Sequence, residues 1–220
     1  MANTITTIGS GVQVIRKNKH DSRRRAEKGT LMIGAVKESM RQRLIDAATE
    51  LFYAEGIRAV SVDKVIERAG TTKVTFYRHF KSKDSLVVAH LEHRAQLERD
   101  GVRAAMGYAN GDPDRTFQLI AEQLGTMSCE AGFRGCPFIN AAAEYPDPDS
   151  DVRKTVDDQR AWWKSAFVDI IAPLALPESD AVADDLMLIR DGAMVAGYLD
   201  DGEALSASFL RSSRALTSGR

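Results

Sequence analysis

Apolar residues recur along most of this chain at the 3.6-residue spacing of an α-helix, and Gly, Pro and Ser-rich breaks cut the pattern into segments. Leu44, Ala47, Ala48, Leu51 and Phe52 form one stripe, predicting a helix from about Ser39 to Glu55 that Gly56 ends. Val62, Val65, Ile66 and Ala69 form a second stripe, with Ser61 placed to cap it and Gly70 to terminate it. A third begins near Thr72: Phe76 and Phe80 share one face, while Val74, Thr75, Tyr77 and Arg78 fall on the opposite face or its flanks. Ser82 and Asp84 suit the start of a long helix carrying Leu86, Val87, His90, Leu91 and Leu97 to about Met106. Beyond a loop at Gly107 to Pro113, the pattern predicts helices over Pro113–Ala131, Cys136 to about Tyr145, Asp149–Ile171, Ser179–Leu199 and Glu203–Leu216. Pro146-Asp147-Pro148 and Pro173 to Pro177 are breaks. The expected fold class is all-α, with about nine helices: a three-helix N-terminal unit and a larger C-terminal helical domain.

The three N-terminal helices make a small core from Phe52, Ile57, Val60, Phe76, Phe80 and the second stripe. Helix, short Gly-containing turn, helix is the helix-turn-helix pattern, whose second helix can lie in a DNA major groove. Here that helix buries two Phe residues and turns a mixed polar, aromatic and basic face outward.

The same residues carry a family resemblance. Glu50-Leu51-Phe52, Gly56, Ala69-Gly70 and Thr75 to Lys83, followed by a long helix, resemble the DNA-binding end of TetR-family transcriptional regulators, over roughly Gln42 to Leu91. The resemblance implies that Lys73, Thr75, Tyr77, Arg78 and His79 contact DNA, with Thr72 and Lys83 at phosphates; Ser61 completes the candidate set. It also implies a homodimer packed through the last two helices as a four-helix bundle, and repression of transcription. Tyr77 and Lys83 suit phosphate positioning, and Arg78 can reach a guanine edge.

Charge sharpens this reading. The net charge of −1 says little, but residues 1–83 hold 17 Lys and Arg against 8 Asp and Glu, while residues 84–220 hold 13 against 23. One end therefore attracts phosphates and the other repels them. Residues 1–36 include Arg16 to Gly29 and have too little apolar patterning to pack; they read as a mobile basic arm, with Arg23, Arg24 and Arg25 available to DNA. The expected division is thus 1–36, arm; 37–83, helix-turn-helix domain; 84–220, helical ligand-binding and dimerisation domain. No run of 18 apolar residues suggests a membrane span, and no signal-peptide core is evident, so a cytoplasmic location is expected.

Residues 84–220 suit two tasks. One is dimerisation, because a single helix-turn-helix reads too few base pairs and two read a palindrome. Leu186, Ile189, Ala193, Val195 and Ala196, then Leu205, Phe209 and Leu216, offer stripes that can pair with a second copy. The other is sensing a small molecule, apolar or aromatic, in a pocket whose candidate lining is Phe117, Met127, Phe138, Trp162, Trp163, Phe167 and Met194. A bound ligand would tilt the long helix and move the two reading heads off their half-site spacing.

Other chemistry is thinly supported. His90 and His93 lack further metal ligands at suitable spacing, and no Ser/His/Asp, phosphate-loop or metal constellation appears, so neither catalysis nor a cofactor is expected. Cys129 and Cys136 read as free thiols, with a disulfide between them as the alternative. The reading is a ligand-responsive repressor that binds a palindromic operator as a homodimer. The alternative is a DNA-binding regulator without a small-molecule ligand, redox-responsive through Cys129 and Cys136.

Overall fold

A computed structural model describes residues 39–199 and 203–218. The basic arm expected over residues 1–36 lies outside the described residues. Among these there are nine α-helices and no strand. They are α1 (Met40–Glu55), α2 (Val62–Ala69), α3 (Lys73–His79), α4 (Lys83–Ala109), α5 (Pro113–Ser128), α6 (Pro137–Glu144), α7 (Asp151–Ile171), α8 (Ser179–Leu199) and α9 (Glu203–Thr217). No described helix is long and apolar enough to cross a membrane.

Local chemistry sets most of the boundaries. The hydroxyls of Ser39, Ser61, Thr72, Ser82 and Ser150 each accept a backbone N–H in the first turn of the following helix, and Asp112 does the same for α5. Ser82 and Ser85 cap each other reciprocally at the start of α4. Gly70, at φ 62°, closes α2 in the left-handed conformation that a side chain resists. Two ends differ from the sequence expectation. α4 runs through Gly107 to Ala109, because Gly107 is exposed and one Gly inside a long helix costs only about 1 kcal/mol. α5 stops at Ser128, three residues early, where the chain turns into Gly132 at φ 88°.

The apolar interior falls into two clusters. One gathers Phe52, Phe76 and Phe80 with Leu86, Val87 and Leu91 of α4, Phe138 and Ala141 of α6, and Val152 and Val156 of α7. The core of α1 to α3 is therefore continuous with the first half of α4 and with α6. The second cluster lies among the distal half of α4 and α5, α7, α8 and α9, around Phe117, Phe167, Leu186 and Phe209. α9 packs on α5 and α8, α8 on α7, and α7 on α4. Leu186, Leu205 and Phe209 are buried against their own chain. They are thus removed from the stripe expected to face a second copy. Val195 of that stripe stays exposed, together with Leu188, Tyr198 and Leu199 of α8.

Candidate nucleic-acid interface and open cavity

Phe76 and Phe80 are 0% and 3% exposed, with ring centroids 5.9 Å apart, and they anchor α3 from below. Burying each ring contributes about 2 to 3 kcal/mol. Two cations brace the unit from α1. Arg43 donates to the Ala69 carbonyl at 2.6 Å, and the Arg41 guanidinium stands 5.3 Å from the Phe80 ring centre. With its inner face fixed, α3 turns Lys73, Val74, Tyr77, Arg78 and His79 to solvent. Tyr77 is half exposed and meets the Phe76 ring edge-on at 5.2 Å, so its hydroxyl stands clear of the surface on a supported ring.

The candidate DNA residues fall into three groups. Tyr77, Arg78 and His79 project freely. Ser61, Thr72 and Thr75 are engaged locally: Ser61 caps α2, and Thr72 caps α3 while its hydroxyl lies 3.0 Å from that of Thr75. Lys73 reaches Asp63 at 3.4 Å through an exposed pair that holds it weakly. Lys83 is drawn inward and donates to the Arg58 carbonyl at 3.4 Å; burial lowers its pKa, against the raising influence of Glu144 and Asp84. Val74, 80% exposed, was not in the candidate set, yet a methyl-bearing side chain on this face can meet a thymine methyl. Its signal was an apolar residue standing off the buried stripe.

A bridge from the C-terminal region supports this unit. Tyr53 accepts the Arg134 N–H at 2.8 Å and donates to the Gly135 carbonyl at 3.0 Å. Arg134 donates to the Ala54 carbonyl. Gly135, at φ 74°, lets the strap pass α8 closely, since an added Cβ would lie 3.1 Å from the Met194 carbonyl oxygen. Tyr145 donates to Asp84 at 2.8 Å, and burial followed by that bond raises its pKa. α6 and the segment before it therefore tie the α1–α3 unit and the start of α4 to the C-terminal helices.

A cavity of about 660 Å³ lies among α4, α5, α7 and α8 and opens to solvent along α4 and α5, where Leu97 and Tyr108 are exposed. Of the candidate lining residues, Met127, Trp163 and Met194 border it. The other four do not. Phe117 and Phe167 stack on each other at 6.4 Å inside the second cluster, and Phe138 is buried in the first. Trp162 packs beneath the Arg99 guanidinium at 5.5 Å. Sequence periodicity marks all buried aromatics alike, and only packing separates wall from interior.

Five charged residues line the cavity, Arg94, Glu98, Glu122, Glu130 and Arg190, and none is among the lining residues expected from sequence. Arg190, 4% exposed, lies 4.6 Å over the Trp163 ring, and Glu98 accepts from its Nη2 at 3.3 Å. Asp191 accepts from Nη1 at 3.2 Å, and the Cys136 sulfur lies 3.9 Å away. Glu98 and Arg190 sit on the buried stripes of α4 and α8, a charged residue at helical spacing within an apolar row, which is the signal that marks them. Cys129 is exposed, Cys136 is buried, and neither is in a disulfide. His90 is 2% exposed, with Nδ1 2.9 Å from the Thr49 hydroxyl, and no group of three or more metal-ligating side chains occurs among the described residues.

Residues 44–90 match the family described as bacterial regulatory proteins, tetR family. The structure is similar to that of a TetR-family transcriptional regulator from Streptomyces coelicolor, with a TM-score of 0.77 and 37% identity, covering 81% of this chain and 94% of that one. The HTH-type transcriptional regulator LmrA of Bacillus subtilis (strain 168) is 24% identical over 143 residues, 64% of this chain and 76% of LmrA. The HTH-type transcriptional regulator SrpR of Pseudomonas putida is 40% identical over 67 residues, but that match spans only 32% of SrpR.

Proposed function

Because this chain belongs to the TetR family of DNA-binding transcriptional regulators, we propose that it represses transcription as a homodimer on a palindromic operator and is released by a small molecule held in the 660 Å³ cavity. The observation that carries the DNA half is the division of α3: Phe76 is fully buried, while Val74 and Tyr77 are 80% and 50% exposed on the other side. A short helix pinned from below and bare above is the shape that enters a major groove. Tyr77 and Lys73 position the helix on phosphates, and Arg78 reads a base edge.

The exposed apolar surface of α8 and α9 supports the dimer. Leu188 and Leu199 are each 70% exposed and Val195 is 46% exposed, beside a groove walled by Ile189, Ala193, Ala196 and Ser208. A second copy laid across this face covers the leucines and forms a four-helix bundle. Effector in the cavity presses on α4 and α8, and the strain reaches α1 through α4 and through α6. The heads then leave the separation of about 34 Å that two half-sites one turn apart require.

Selection of DNA fragments by the purified full-length chain tests this reading. The expected result is an inverted repeat bound by two chains, and a reporter under that operator that rises when the regulator is deleted. Enrichment of a single unrepeated half-site by a monomer would sink the dimer, and a reporter that falls on deletion would make the protein an activator.

A further inference from the structure

We propose that the cavity among α4, α5, α7 and α8 takes an uncharged, mainly apolar molecule carrying one hydroxyl or N–H donor, which it offers to Glu98. This rests on the reading of that cavity as the effector site and names the chemistry it selects.

Glu98 carries the argument. Gln159 Nε2, Trp163 Nε1 and Arg190 Nη2 donate to it at 3.0, 2.8 and 3.3 Å, and all three converge on one oxygen, Oε2. Oε1 accepts no hydrogen bond from any described residue, although Glu98 is mostly buried and borders the cavity. A carboxylate held by three donors through one oxygen is fixed in direction, and its free oxygen is a ready acceptor. Around it stand Leu97, Val102, Ile120, Met127 and Met194, which reward apolar surface.

Charge decides between ligand classes. Arg190 contacts both Glu98 and Asp191, and Asp191 also accepts from Arg160 at 2.7 Å. Within this cluster two cations and two anions cancel; Arg94, Glu122 and Glu130 also line the cavity, with Glu122 and Glu130 exposed to solvent. An anionic ligand meets the open lone pairs of Glu98, and the Arg190 charge that would attract it is already paired. A cationic ligand gains one contact but carries an uncompensated charge out of water. A neutral donor satisfies Oε1 at no such penalty. Arg190 Nε is buried over the Trp163 ring without an acceptor among the described residues.

Four probes of one shape separate the classes: biphenyl, 4-hydroxybiphenyl, biphenyl-4-carboxylate and 4-phenylbenzylammonium. Binding to the full-length dimer is followed by calorimetry, and release of fluorescent operator DNA is followed separately by anisotropy. 4-Hydroxybiphenyl should bind about tenfold or more tighter than biphenyl, the margin expected for a hydrogen bond to a charged acceptor. Glu98→Gln should collapse that margin to about threefold or less, since an amide accepts far more weakly than a carboxylate. Should Glu98→Gln fail to fold, Gly101→Leu serves instead. An added Cβ there meets only the Gln123 amide at 3.6 Å, and the new side chain blocks the cavity, so hydroxybiphenyl binding should vanish. Preference for the carboxylate or the ammonium, equal affinity for biphenyl, or no binding by any probe overturns the proposal. Hydroxybiphenyl binding without release of DNA upholds it and removes the effector reading.

Discussion

The Glu144 carboxylate, at the last residue of α6, accepts the backbone N–H of Ile57 at 2.8 Å, and its second oxygen accepts that of Arg58 at 2.6 Å. One side chain from the C-terminal region thus satisfies two donors in the turn between α1 and α2. Glu144→Ala should lower stability by about 2 to 3 kcal/mol, the worth of charge-assisted bonds to a turn left partly buried. Urea unfolding followed by circular dichroism measures this, and an unchanged midpoint would show that the turn holds without α6.

His90 makes stability depend on pH. Thr49 donates its hydroxyl proton to the Ile45 carbonyl at 2.8 Å, so the His90 ring donates from Nδ1 to Thr49, and burial favours its neutral form. Burial, with Arg94 and His93 nearby, lowers its pKa from 6.5 to about 3. A lowered histidine pKa means the unfolded chain takes up the proton first. The native advantage is whole above about pH 6.5 and is lost as pH falls from there toward 3, at about 1.4 kcal/mol per unit. His90→Gln should flatten melting temperature against pH between 6 and 4. An identical slope in the variant would place the acid sensitivity elsewhere.

Phe76→Ala should cost about 3 to 5 kcal/mol, because a fully buried ring leaves both transfer energy and a cavity behind. Phe76→Leu should cost less and retain some DNA binding. Denaturant titration paired with DNA anisotropy on each variant checks both; wild-type affinity in Phe76→Ala would mean that α3 is not held by this ring.

On DNA the outward residues of α3 should separate into two behaviours. Arg78→Ala should cost about 1 to 3 kcal/mol on the selected operator and relax its preference at one base position. Tyr77→Ala should weaken operator and unrelated DNA alike. Lys73→Ala should in addition reduce the slope of log affinity against log salt by about 0.9. Loss by Tyr77→Ala on the operator alone, measured by anisotropy at two salt concentrations, would transfer that residue from phosphate to base.

Much of the molecule was legible in the chain because it depends on near neighbours. Helical periodicity, Ser and Thr caps and Gly70 place α1 to α3 within a residue or two, and the Phe76/Phe80 spacing alone separates the buried side of α3 from the open one. What the sequence could not supply depends on contacts between residues far apart in it. Phe117, Phe138, Phe167 and Trp163 look equivalent in a periodic pattern; only the packing of α4, α5, α7 and α8 makes Trp163 a cavity wall and the others interior. Leu186, Leu205 and Phe209 read as a face for a second copy until α5, α8 and α9 closed over them. Glu98 and Arg190, 92 residues apart, acquire a role only when two helices bring a carboxylate and a guanidinium together. Local pattern determined the helices and the exposed face of α3, because capping and amphipathicity act over one or two turns. Tertiary packing decided the cavity, its chemistry and the α6 bridge, because burial is a property of the assembled chain.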